Sequence, residues 1–286
     1  MNSAEATVSE AMSGLRLFES PDRGARALGA ERPEIDGIGI ENLSVAFGRT
    51  PVLDGVCLRL PRNAVTALIG PSGCGKSTLL QCLNRLSDLI PGCKVSGKVH
   101  FGWLDNARLQ RDTTLLRREV GMLFQRPNPF PFTLWRNLDF PLAQHGVRCR
   151  DERAGRIRAA LEEVGLWREV ADRLHGPATA LSGGQQQRLC LARALVLQPS
   201  VLLMDEPCSA LDPISTQRIE ELILQLAQNR TIVLVTHSVA QARRVSDEVA
   251  LLWKHDAGSR VVEHGTADAV FGDPQHELTQ RYLRFA

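Results

Sequence analysis

Gly70-Pro71-Ser72-Gly73-Cys74-Gly75-Lys76-Ser77-Thr78 is the stretch that decides how the rest of this chain is read. Its first eight residues fit the phosphate-cradling pattern G-x-x-x-x-G-K-[ST]. An apolar, strand-like run, Ala64-Val65-Thr66-Ala67-Leu68-Ile69, leads in, and a helical pattern over Leu79 to Leu86 leads out. Strand, loop, helix is the order the pattern requires. The glycines let backbone N–H groups curl around an anion, and the helix N-terminus adds its partial positive charge. Lys76 can reach the β- and γ-phosphates, and Ser77 faces Mg²⁺. The expected ligand is a nucleoside triphosphate.

At 286 residues the chain can hold one large domain or two small ones, and its 43% hydrophobic content is ordinary for a soluble globular protein. No run approaches the roughly 20 apolar residues of a membrane span, and no basic flank followed by an apolar core opens the sequence, so a cytosolic protein is expected. A net charge of +2 argues against a broad basic face, so nucleic acid is not expected as a partner. Of 34 basic residues only Lys76, Lys94, Lys98 and Lys254 are lysine, the rest arginine. A compact ammonium fits between phosphate oxygens where a planar guanidinium does not, although one of four lysines could fall there by chance. Seven cysteines form an odd set without a C-x-x-C pair, which predicts reduced thiols and no structural metal.

Residues 1–35 lack a sustained period and read as a mobile extension, or as a short docking helix around Leu15 to Phe18. Ile38 to Val45 and Val52 to Leu60, joined by Gly48-Arg49-Thr50-Pro51, predict antiparallel strands with a turn. Phe47, 23 residues before Gly70, is either an exposed ring that stacks on a nucleotide base or a core residue of that small sheet. Val95 to Trp103 and Val120 to Phe124 read as further strands, the second ending at Gln125. Pro127-Asn128-Pro129-Phe130-Pro131-Phe132 can be neither helix nor central strand. Its aromatics either form a contact surface or tuck into their own domain.

Asp151 to Leu166 has helical spacing at Ala154, Ile157, Leu161 and Val164 with Asp151 as N-cap, and a second helix is expected over Gln186 to Leu197. Val201-Leu202-Leu203-Met204 is a continuous apolar run of the kind buried on both faces of a parallel sheet, and Thr231-Ile232-Val233-Leu234-Val235-Thr236 reads as another buried strand. Between them Asp212-Pro213 caps a helix with the stripe Ile219, Leu222, Ile223, Leu226. Ligands of parallel sheets sit beyond the carboxyl ends of the strands, where Gly70, Gln125, Asp205 and His237 all fall.

Phosphoryl transfer to water needs charge neutralisation and an oriented water. Asp205 ends an apolar strand and would hold the Mg²⁺ shell. Glu206 is placed to orient and deprotonate the water, the alternative being a capping or salt-bridging acid. Gln125 can touch Mg²⁺ and water through its amide, and His237 can donate to the γ-phosphate. Leu181-Ser182-Gly183-Gly184-Gln185 offers a hydroxyl, two glycine amides and a helix N-terminus, which make a second anion site or a plain helix start. As a second site, it would close over the γ-phosphate held by another copy in a head-to-tail homodimer.

These motifs, together with Ser209-Ala210-Leu211-Asp212, resemble the ATP-binding subunits of ABC transporters across about residues 36–283. The resemblance implies an α/β fold: a P-loop NTPase (RecA-like) core with an antiparallel β subdomain and an inserted helical subdomain at about 126–195. It implies ATP and Mg²⁺ as cofactors, Phe47 as the adenine-stacking ring, and Asp212 beside the nucleotide. Asn84-Arg85-Leu86, Phe124 to Pro131, Leu181 to Arg193 and Glu206 to Thr216 are similar to the phosphate-import branch. That branch implies two membrane permease subunits, an external solute-binding protein and a peripheral place on the cytoplasmic face of the membrane. The proline-aromatic loop would then border the groove for a permease helix. Thr133-Leu134-Trp135-Arg136, the longer Lys254 to Arg260 segment and residues 1–35 depart from the branch's pattern. The rivals are importers of another solute, such as phosphonate or molybdate, and a soluble ABC ATPase of translation or DNA repair. Against the last, the chain shows neither two cassettes nor a long coiled coil nor zinc cysteines.

Overall fold

The computed structural model describes residues 36–285, so the reading of residues 1–35 lies outside the described residues. One nine-stranded sheet organises the chain: β1 (Gly37–Phe47), β2 (Thr50–Pro61), β3 (Val65–Ile69), β4 (Cys93–Phe101), β5 (Val120–Leu123), β6 (Val201–Asp205), β7 (Thr231–Val235), β8 (Glu248–His255) and β9 (Gly258–Thr266). Their order is β4-β1-β2-β9-β8-β3-β7-β6-β5. The strands β8, β3, β7, β6 and β5 run parallel to one another, whereas β4, β1 and β2 are antiparallel. The expected antiparallel β region is therefore continuous with the parallel core, to which β2 is joined through the parallel pair Leu53 and Ser259 of β9.

The apolar runs behave as fully buried strands because helices cover both faces. Leu202 and Met204 enter one core with Ile232 and Leu234, while Val201 and Leu203 enter another with Val233 and Val235. Alternate residues thus feed opposite sides of the sheet. Truncating Leu203 to alanine would leave a cavity on one side and cost about 3 kcal/mol.

Between β5 and β6 the chain leaves this sheet. Leu134–Gln144, Arg150–Glu163 and Gly183–Leu195 form a helical layer, and Leu138, Leu142, Ile157, Leu161, Leu189 and Leu191 build its core. Three helices start elsewhere than expected. The helix after the phosphate loop is Lys76–Leu83; Arg85 at φ 56 breaks it before the 3₁₀ turn Leu86–Leu89. The N-cap of Arg150–Glu163 is Cys149, leaving Asp151 in the first turn, where its charge still favours the helix dipole. The helix expected from Gln186 begins at Gly183, because Ser182 and Gln185 cap it reciprocally.

Candidate functional site

The loop after β3 wraps tightly because two glycines permit it. Gly70 has φ 140, and a Cβ there would meet the Leu252 carbonyl oxygen at 2.2 Å; Gly75 opens the helix at φ 87. Lys76 is 6% exposed, and its Nζ donates to the carbonyls of Gly70 at 2.8 Å and Pro71 at 3.0 Å, with Cys74 Sγ 3.8 Å away. The ammonium is thus held inside its own loop. Burial pushes the Cys74 thiol up, against the pull of Lys76, so it sits there as a neutral packing group. Pro71, Ser72, Gly73, Ser77 and Thr78 all retain some exposure around the loop.

Ser77 donates from Oγ to Asp205 Oδ1 at 2.8 Å. Burial raises the Asp205 carboxyl above the usual range; the Ser77 hydrogen bond and the Lys76 charge oppose that shift, and Glu206 adds to it. A half-buried carboxylate beside a hydroxyl is an all-oxygen donor set, which suits a hard cation such as Mg²⁺.

Glu206 follows at φ 46, a left-handed backbone that costs a non-glycine residue about 1–2 kcal/mol. Its N–H donates to the Val235 carbonyl at 2.9 Å, which fixes the turn. Two side chains grip the carboxylate: Gln125 Nε2 donates to Oε2 at 2.9 Å, and His237 Nδ1 lies 3.1 Å from the same oxygen. Of the residues read at four strand ends, Gln125 and His237 meet at Glu206, where the sequence placed them against Mg²⁺ and phosphate; Asp205 instead accepts from Ser77, and the Gly70 carbonyl accepts from Lys76 within its own loop. Cys208, Ser209, Thr216, Gln241 and Arg244 join Glu206 and His237 around a cavity of about 200 Å³.

Phe47 is half-buried at the end of β1, paired with Thr50 and Cys93, which leaves part of its ring open. Ser182 and Gly183 are exposed and Gly184 is buried, where a Cβ would strike Ser215 Oγ at 2.5 Å. Ser182 Oγ accepts from the Gln185 N–H at 3.4 Å, and Gln185 Oε1 accepts from the Ser182 N–H at 3.0 Å. The amides of the first turn have no partner within the helix, as at any helix start, and Ser182 and Gly183 stand exposed there. Among the described residues, no hydrogen bond joins this element to the loop of Gly70–Thr78. Asp212 caps Pro213–Ala227 and accepts from Ser215 Oγ at 2.6 Å.

Two supports were not legible beforehand. Glu169 accepts from Gln185 Nε2 at 2.8 Å and from Arg188 at 2.9 and 3.1 Å, which anchors the Ser182 element from behind. Burial works to raise its carboxyl, but those bonds and the charges of Arg188 and Arg218 outweigh it and hold it below the usual range. Only Arg188, following Gln185 at helical spacing, hinted at an acidic partner. Behind the proline-aromatic loop, buried Asn137 of the helix Leu134–Gln144 accepts from the Phe130 N–H and donates to the Thr133 carbonyl. Arg193 stacks on Phe130 at 4.2 Å and Arg136 on Phe132 at 4.4 Å. With Phe140, 39% exposed, these half-buried rings form a cluster that both packs into its own domain and shows a face.

The family model described as ABC transporter matches residues 53–209. The phosphate import ATP-binding protein PstB 1 of Nitrosococcus oceani is 52% identical over 244 residues, covering 85% of this chain and 88% of that protein. A protein of the same name from Vibrio parahaemolyticus is 47% identical over 87% of this chain and 90% of its own length. Among solved structures, cbiO1 from Clostridium perfringens, described as part of the ABC transporter complex cbiONQ, is 27% identical. It superimposes with a TM-score of 0.70 over 87% of this chain and 96% of its own.

Proposed function

This chain belongs to the ABC transporter family, and from that premise we propose that it is the ATP-hydrolysing subunit of an importer for inorganic phosphate. The observation that supports the reading best is the pairing of Glu206 with both Gln125 and His237 beside the Ser77–Asp205 bond, at the ends of four neighbouring parallel strands.

In this reading Phe47 stacks on adenine, and the amides of Gly70 to Thr78 cradle the phosphates. Lys76 leaves the Gly70 and Pro71 carbonyls for the β- and γ-phosphate oxygens. Ser77, Asp205 and Gln125 would hold Mg²⁺, which supplies charge neutralisation on the phosphates. Glu206, held by Gln125 and His237, accepts the proton of the attacking water. When ATP brings its γ-phosphate, His237 and Gln125 can turn from Glu206 toward it, which frees the carboxylate for the proton of the water.

The element Ser182, Gly183, Gly184 and Gln185, of which Ser182 and Gly183 are exposed, closes with Asp212 on the nucleotide held by a second copy, giving a homodimer with two composite sites. The helical segment at about 126–195 forms a subdomain, and its Phe130, Phe132 and Phe140 face meets a permease helix. Two permease subunits, an external phosphate-binding protein and a peripheral position at the cytoplasmic face of the membrane complete the machine. No described helix is long and apolar enough to cross a membrane, so the solute path belongs to the partners. The reading is tested by co-purifying the chain with its membrane partners and asking which solute stimulates ATP turnover. Stimulation by phosphate alone supports it; stimulation by phosphonate or molybdate instead overturns the solute.

A further inference from the structure

We infer that Tyr282 is a positioning residue for nucleotide binding, its hydroxyl securing the Gly70 carbonyl when Lys76 leaves that oxygen for the phosphates. The inference rests on the nucleotide reading given above. Tyr282 lies on the C-terminal helix Glu277–Phe285, far from the loop in sequence, yet its hydroxyl donates to the Gly70 carbonyl at 3.4 Å. The same oxygen accepts the much shorter 2.8 Å bond from Lys76 Nζ. A carbonyl oxygen has two lone pairs, so both donors fit at once. When the ammonium moves away, one short bond is lost at a buried oxygen, and leaving such a group without a partner is costly. The donor left in place is Tyr282.

Three features hold it there. Glu263 accepts from the N–H groups of Gln275 at 2.8 Å and His276 at 3.1 Å, which pins the chain just before the helix. The Tyr282 ring meets Trp253 of β8 edge-on, with centroids 6.5 Å apart. Gly70 itself is wedged against the Leu252 carbonyl, so its own carbonyl has little freedom to seek another partner. Burial pushes the phenol up, so it remains a protonated donor at neutral pH.

Tyr282→Phe keeps the ring and removes the donor. ATP affinity is expected to fall roughly three- to tenfold, the range of one neutral hydrogen bond. The kcat at saturation and the thermal midpoint without nucleotide should stay unchanged. Trp253→Phe perturbs the packing but spares the hydroxyl, and should leave ATP affinity near wild type.

A second readout uses the fact that Tyr282 is the single tyrosine of the chain. Labelling with 3-fluorotyrosine gives one ¹⁹F resonance, which ATP should shift. Lys76→Ala without nucleotide should shift it in the same direction, because the carbonyl is already vacated. Wild-type affinity in Tyr282→Phe overturns the inference. So does an equal loss in Trp253→Phe, or a resonance that Lys76→Ala leaves in place. If the wild-type protein itself fails to bind ATP, the nucleotide reading falls first and the inference with it.

Discussion

The hydroxyl of Ser77 donates a 2.8 Å hydrogen bond to Oδ1 of Asp205, joining the phosphate loop to the end of β6 across 128 residues of chain. Both groups could offer oxygen to a cation, and here they satisfy each other. The arrangement keeps a carboxylate half-buried at a cost to stability, in a place where a cation would offset that cost.

Asp205→Asn follows directly from this. A carboxyl whose folded value is raised confers stability below the ordinary Asp range, and that stability is lost as pH rises through the folded value. At pH 7 the ionised Asp205 is therefore a cost. Asn keeps the Ser77 bond without the charge, so its thermal midpoint should exceed that of wild type by about 2 °C at neutral pH. The difference should close as pH falls toward 4, while Mg²⁺-dependent turnover is lost. A pH series of melting curves checks the sign.

Glu206→Gln retains the shape that Gln125 and His237 grip, but it cannot take a proton. ATP affinity should stay within about twofold, while kcat falls by roughly 10²–10⁴, the usual worth of a general base. The protein should accumulate as a closed ATP-bound dimer on size exclusion. Near-normal turnover removes Glu206 from the base role.

Glu169→Gln tests the support behind Ser182. Arg188, 7% exposed, would lose its carboxylate, and the cost is about 2 kcal/mol, below that of a fully buried pair because Glu169 is 33% exposed. Since the carboxyl is held low, wild-type stability from this pair is present above the ordinary Glu range and lost as pH falls through the folded value. The kcat should fall severalfold with ATP affinity at Gly70–Thr78 unchanged. An equal loss of affinity would mean the phosphate loop itself was disturbed.

Mixed dimers test the shared site. One chain carrying Ser182→Ala and its partner Lys76→Ala leave one composite site intact, so up to half of the turnover should survive. Placing both substitutions in one chain opposite a wild-type partner damages both sites and should abolish it. Equal activity in the two arrangements contradicts sites built across chains.

Much of this fold is legible because its central strands are buried on both faces. The run at 201–204 stands out as an unbroken apolar segment for that reason, and those at 64–69 and 231–236 as segments in which threonine is the only polar residue. The phosphate loop is legible because its glycines have no other economical use in that order. Residues that act through distant partners leave no such trace. Glu169 meets Gln185 across 16 positions and Tyr282 meets Gly70 across 212, and no local pattern announces either. The grip of Gln125 and His237 on Glu206 was hidden differently. Each residue was placed at the correct strand end, but which atom a flexible amide or imidazole engages depends on whether substrate is present.

Uptake of labelled phosphate, in cells lacking this chain and then supplied with wild type or Glu206→Gln at equal abundance, tests the central claim most directly. Loss of the chain should abolish high-affinity phosphate uptake, wild type should restore it, and Glu206→Gln should not. Uptake that persists without the chain, or that Glu206→Gln restores as well as wild type, contradicts an ATP-driven role in phosphate import.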